Sequence, residues 1–271
     1  MDIKRWVSGL ILFPILVIVL VFGNKYIFDV IVALLAIMSI HEFYKAFRTG
    51  QKANPICWIG YVAAALISII HIIPEGLWLK SIGVTLPISL CILFLTVIAK
   101  KLKVNLIDIS VTFFGIFYIV IFLMYIPIIR EDLPNGEILI WFLVLAAVAT
   151  DTFAYLVGRH FGKHHFTEIS PKKTIEGSIG GIIGAIVVCL IFNLICQTAF
   201  NVSYNYLSVA LITIILSILS QVGDLSASCI KRFTGIKDFS NLIPGHGGML
   251  DRIDSIVFTA PFAYFLFMLL I

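Results

Sequence analysis

The sequence predicts an all-α, polytopic membrane protein of about nine transmembrane helices, its amino terminus cytoplasmic and its carboxyl terminus on the opposite side. Three observations carry this expectation. Hydrophobic residues fill 61% of the 271 positions, only 13% are charged, and mean hydropathy is +1.09, a composition too apolar for a soluble globule. Apolar stretches long enough to cross a bilayer, about 20 residues each, recur along the whole chain. Of the 19 Lys and Arg, all but Lys25, Lys80 and Arg130 fall at the amino terminus or in alternate loops, and short loops rich in these cations stay cytoplasmic.

The first span, 6–23, follows Lys4 and Arg5 and contains Pro14. It is too long and too poor in small cleavage-site residues to be a cleaved signal peptide, so it reads as an anchor. The second span, 26–40, ends at His41-Glu42-Phe43-Tyr44, where His41 and Glu42 read as interfacial polar residues capping the helix. A loop with Lys45, Arg48 and Lys52 leads to the third and fourth spans, 58–74 and 79–99. Lys100, Lys101 and Lys103 mark the next cytoplasmic return. Beyond it come 106–128, 137–157, 178–200, 206–227 and 253–271, with a cation-rich loop after the sixth and the eighth. Merging or splitting any span would mix the two populations of loops, so the cation pattern supports nine.

No repeat, low-complexity segment or long linker appears, which predicts a single helical membrane domain over 1–271. Within it, 1–140 is expected to serve as scaffold and lipid-facing spans. Residues 141–271 form the expected catalytic half, with cytoplasmic loops 158–177 and 229–252. The net charge of +4 reflects the cytoplasmic loops, and no basic stripe with interleaved aromatics suggests nucleic acid. Cys57, Cys91, Cys189, Cys196 and Cys229 form no C-x-x-C pair and read as small core residues.

Chemistry concentrates in two charged islands. In the first, Asp151 to Gly177, Asp151 lies inside the sixth span, where an ionisable group is expensive and marks a functional position. Asp151, Tyr155 and Gly158 share a helix face leading to Arg159 and Lys163. Ser170-Pro171 reads as a helix start, and Lys172 and Lys173 at a helix N-terminus suit a polyphosphate. His160, His164 and His165 read as solvated loop histidines rather than metal ligands.

The second island, Ser228 to Asp254, reads SCIKRFTGIKDFSNLIPGHGGMLDRID. Just before it, Gln221, Asp224 and Ser228 share a face of the eighth span that ends at Lys231-Arg232. Asp251 and Asp254 lie three apart at the start of the last helix. Lys and Arg with backbone N–H donors of a Gly-rich turn hold phosphate, and carboxylates such as Asp224 and Asp251 hold Mg²⁺ on that same phosphate. His246, between glycines, either donates to a phosphate oxygen or shapes the turn.

The spacing of Ser228, Lys231, Arg232, Lys237, Asp238, Ser240, Pro244, His246, Gly247, Gly248, Asp251, Arg252 and Asp254 resembles the signature of the CDP-diacylglycerol synthases, or phosphatidate cytidylyltransferases, with no departure inside the window. Ser170-Pro171-Lys172-Lys173-Thr174-Ile175-Glu176-Gly177 resembles a second motif of the same family. The resemblance implies CTP and phosphatidic acid as substrates, CDP-diacylglycerol and pyrophosphate as products, and divalent metal on the positions matched by Asp224 and Asp251. Catalytic roles are then expected for Asp224, Asp251, Lys231, Arg232 and Arg252. Substrate binding is expected at Asp151, Ser170, Lys172, Lys173, Glu176, Ser228, Lys237, Asp238, His246, Gly247, Gly248 and Asp254.

The expected setting is an inner cell membrane, with membrane lipids as neighbours and the site on the cytoplasmic face. A second, monovalent cation and a homodimer are compatible with this reading. Two other readings stay open: a CTP-dependent enzyme acting on an isoprenoid lipid phosphate or polyprenol, and a secondary transporter of a phosphorylated solute.

Overall fold

The computed structural model describes residues 14, 17–21, 23–72, 77–99, 104–165, 167–243, 245 and 247–270. The expected first span, 6–23, falls largely outside them, and so does His246. From residue 24 onward the helices are α1 (Lys25–Thr49), α2 (Cys57–Ala65, continued as a 3-10 helix over Leu66–Ile72) and α3 (Leu77–Ala99). They continue as α4 (Leu106–Asp132, with a π-helical stretch over Ile116–Ile121), α5 (Gly136–Phe161), α6 (Ile175–Phe200), α7 (Tyr206–Thr234) and α8 (Leu250–Leu270). Among the described residues there are no strands, only isolated bridges at His165–Thr174 and Ile243–Gly247.

Six of these helices, α1 and α4 to α8, are long and apolar enough to cross a membrane, whereas Cys57–Ile72 and Val84–Ala99 are shorter apolar helices. The chain is therefore an integral membrane protein. Its helices expose large apolar side chains that water would not tolerate in such density: on α6, Ile179, Ile183 and Val187, four residues apart, are each about half exposed.

The chain divides into two compact units, Met1–Pro127 with Lys231–Ile253, and Ile128–Ile230 with Asp254–Ile271. In the first unit, α1 opens because Asn24 accepts the Ile27 N–H at 2.9 Å. Tyr44, wholly buried, donates to the Thr112 carbonyl oxygen at 2.8 Å. Gly60 and Gly115 flank it, where an added Cβ would lie 2.5 Å from its hydroxyl and 2.7 Å from its ring. Small residues let membrane helices approach in this way. Asp29, buried on α1, is satisfied by His71 at 2.9 Å. At the far end of α1, a Cβ on Gly50 would come within 2.4 Å of the Thr234 carbonyl oxygen. That contact joins the end of α1 to the end of α7.

In the second unit α5 and α6 pack backbone to backbone. A Cβ on Gly177 would meet the Ala154 carbonyl oxygen at 2.7 Å, and one on Gly181 the Thr150 carbonyl oxygen at 2.8 Å. The spacing of Gly177, Gly181 and Gly184 thus puts one glycine face on α6 opposite the lipid-facing row above. Across to α7, Thr150 donates to Ser217 at 2.7 Å and Ser178 donates to Gln221. Asn193 closes the α6–α7 turn by bonding the Tyr204 carbonyl oxygen and N–H at 2.9 and 3.2 Å.

Candidate active site

Both charged islands fold around a lysine–carboxylate pair, one in each unit. In the second unit Lys173, in the turn before α6, pairs with Asp224 on α7. Their side chains are 29% and 30% exposed, so water screens the pair and its stabilising effect is small. The turn itself is ordered by backbone bonds: Lys173 N–H to Ser170 oxygen at 3.0 Å, and Ile175 N–H to His164 oxygen at 2.9 Å. The α6 N-cap is Thr174, whose hydroxyl accepts the Gly177 N–H at 3.1 Å. This corrects the sequence expectation that Ser170-Pro171 starts the helix, since Thr174 supplies the extended cap geometry. Glu176, in the first turn, accepts the Lys163 N–H at 3.1 Å and His164 Nδ1 at 2.6 Å, tying the preceding loop to the helix start.

In the first unit Lys231, in the last turn of α7, meets Asp251 Oδ1 in the first turn of α8 at 2.7 Å. The Asp251 side chain is 3% exposed, and its other oxygen accepts the Phe239 N–H at 2.8 Å and the Gly248 N–H at 3.0 Å. One carboxylate therefore closes both limbs of the loop between the helices. Ile243 and Gly247 exchange two backbone bonds at 2.9 and 3.1 Å, pinching off the tip. Gly247 takes φ +87, a conformation an L side chain resists, and a Cβ there would also press to 3.2 Å on Asp251 Oδ2. Lys231 lies 5.5 Å from the Phe239 ring centroid, a cation–π contact that further fixes the ammonium.

Of the other candidates, Lys172, Arg232, Lys237, Asp238 and Arg252 are exposed, and Asp151 is exposed on α5. Ser170 and Ser228 are half-buried. Asp254 is buried and accepts the Ser255 N–H at 2.8 Å. Asp224 and Lys231 are seven residues apart on one helix, which places them on one face two turns apart. No group of three or more His, Cys, Asp and Glu suited to a metal occurs among the described residues.

Glu42, expected to be an interfacial polar cap on the second span, is bonded instead to the loop between α7 and α8. It is 3% exposed and bonds Ser240, Met249 and Leu250, 198, 207 and 208 residues away. The available signal was its acidity beside an apolar span.

The Cytidylyltransferase family model matches residues 3–270. Phosphatidate cytidylyltransferase of Bacillus subtilis is 40% identical over 139 residues, 51% of this chain and 50% of that protein. The protein of the same name from Staphylococcus haemolyticus is 37% identical over 205 residues, covering 74% and 76%, and that from Synechocystis is 39% identical over 142 residues, covering 52% and 47%. The chain thus spans about half the length of the first and third relatives and about three quarters of the second.

Proposed function

The chain belongs to the cytidylyltransferase family, and on that premise we propose that it transfers CMP from CTP to phosphatidate, giving CDP-diacylglycerol and pyrophosphate. The observation that carries this reading is the pair of lysine–carboxylate contacts, Lys173–Asp224 and Lys231–Asp251, one made by a lysine of each charged island. The similar proteins named phosphatidate cytidylyltransferase support the choice of substrates.

An oxygen of the lipid phosphate bonds to the α-phosphorus of CTP while the bond from that phosphorus to its bridging oxygen breaks, and the electron pair leaves with pyrophosphate. This nucleophile is already anionic, so Ser, Cys and a strong base are unnecessary. Alignment and charge neutralisation are the whole task. Lys173 and Lys231 turn from their carboxylates to phosphate oxygens as point charges, and the exposed Arg232 and Arg252 grip oxyanions through two parallel N–H bonds.

Asp224 and Asp251 are the proposed Mg²⁺ ligands. Asp224 suits this use directly, being partly exposed and held by one lysine. Asp251 suits it through Oδ1 alone, because Oδ2 stays with the two loop amides. When bound, the ion neutralises charge on the phosphates.

Purified protein supplied with CTP, Mg²⁺ and phosphatidate should release pyrophosphate and form CDP-diacylglycerol without any ion gradient. Turnover confined to a polyprenyl phosphate would redirect the reading to that substrate, and no pyrophosphate with any lipid phosphate would sink it. Arg252→Lys keeps the charge but loses the fork, and should cost more than roughly tenfold in rate, about 1.4 kcal/mol of barrier. Lys25→Ala, at the start of α1, should change the rate by less than about twofold. Equal losses in the two variants would remove Arg252 from the reaction.

The proposed topology has nine spans, a cytoplasmic amino terminus and the CTP site on the cytoplasmic face of a cell membrane. In a Cys-free background, Lys172→Cys and Lys237→Cys should be protected from an impermeant thiol reagent outside sealed cells, and Glu137→Cys should label. Glu137 suits this test because its side chain is 72% exposed, whereas a Cβ at the neighbouring Gly136 would lie 2.2 Å from two carbonyl oxygens. External labelling at 172 and 237 would invert the orientation.

A further inference from the structure

We propose that Glu42 is a positioning residue for the loop between α7 and α8, setting the point at which α8 begins and hence where Asp251 meets Lys231. The two limbs of that loop are joined twice, by two carboxylates acting one residue apart. Asp251 takes the N–H groups of Phe239 and Gly248. Glu42, reaching in from α1, takes the Ser240 hydroxyl at 2.5 Å and the Met249 N–H at 3.0 Å on Oε1, and the Leu250 N–H at 2.8 Å on Oε2.

Met249 and Leu250 stand at the start of α8, where N–H groups have no intrahelical partner and the helix dipole favours an anion. A side chain within the loop normally supplies such a cap. Here it comes from 207 and 208 residues away, so it fixes the helix start against α1 and not merely against its own loop. The fit is close: a Cβ on Gly248 would lie 2.5 Å from Glu42 Oε2, so a side chain there would displace the carboxylate from its three donors. Glu42 also borders a cavity of about 700 Å³ whose lining includes His41, Lys45 and Tyr61 together with Ser240, Asn241 and Leu242 of the loop.

The activity arm of the test rests on the cytidylyl-transfer reading, but the structural arm does not. Glu42→Gln keeps the shape, loses the charge, and turns an NH₂ group toward at least one of three donors. Hydrogen exchange of the amides from Phe239 to Leu250, measured without CTP, should then quicken at least tenfold, with the α5–α6 amides unchanged. The rate of pyrophosphate release should fall more than tenfold. Glu42→Asp restores the charge on a shorter arm and should recover part of both, while Ser240→Ala, which spares the helix-start bonds, should stay within about threefold of the wild type in rate.

Wild-type exchange over 239–250 in Glu42→Gln would overturn the proposal. So would a uniform rise of exchange through every helix that Glu42→Asp does not relieve, since that marks a general stabiliser. A wild-type protein that turns over no CTP sinks the catalytic reading and leaves the exchange result to decide the positioning role. If Glu42→Gln does not fold, Glu42→Asp against Ser240→Ala decides, and equal, wild-type exchange in both overturns it.

Discussion

Asp251→Asn is expected to lose more than a hundredfold in CTP-dependent pyrophosphate release and to lower the thermal midpoint as well. The side chain is 3% exposed and satisfies Lys231 and two loop amides together. An amide in its place offers one oxygen to three donors and leaves the lysine, only 13% exposed, without a charge partner. Removing one member of a buried pair costs on the order of 3–5 kcal/mol, and every 1.4 kcal/mol that reaches the barrier is about tenfold in rate. The loop limbs should part and the ammonium should drift from the site. Pyrophosphate release and thermal unfolding of the detergent-purified variant measure both effects. Wild-type values in both would show that this carboxylate neither holds the loop nor serves the reaction.

Asp224→Asn should be about as damaging to turnover, at least a hundredfold, yet nearly silent in stability. Its pair with Lys173 is 30% and 29% exposed, and a pair of that kind contributes under about 1 kcal/mol to folding. A large loss of rate at an unchanged thermal midpoint therefore isolates the chemical role of the carboxylate. Raising Mg²⁺ should not restore the rate, because the proposed ligand is gone, and chelation of Mg²⁺ should abolish turnover in the wild type. Turnover within about threefold of wild type would make Asp224 a surface partner of Lys173 and nothing more. The contrast between the two aspartates is the sharper test, since both carry the same proposed ligand role and only one is buried.

The candidate site stands out in the sequence because its residues are dense there. The charged window 228–254 and the Lys172-Lys173 turn stand out from an apolar chain, and their spacing on helix faces follows from 3.6 residues per turn. The pairings within them were not legible. That Lys173 takes Asp224 and Lys231 takes Asp251 depends on which helices lie side by side. Thr174 rather than Ser170 caps α6 because the turn folds back on His164, a contact that local cap preferences do not contain.

By itself the sequence determined the all-helical membrane class, since apolar length and composition leave no other way to satisfy the backbone in lipid, and it located the two charged islands by their contrast with that background. Only the tertiary structure decided that Glu42 bonds the second island, that Gly248 lies against its carboxylate, and that the Asp251 side chain is buried while that of Asp224 is not. Hydropathy is additive along the chain and can be read locally. Hydrogen bonds between groups some 200 residues apart are set by packing, and no local pattern encodes them.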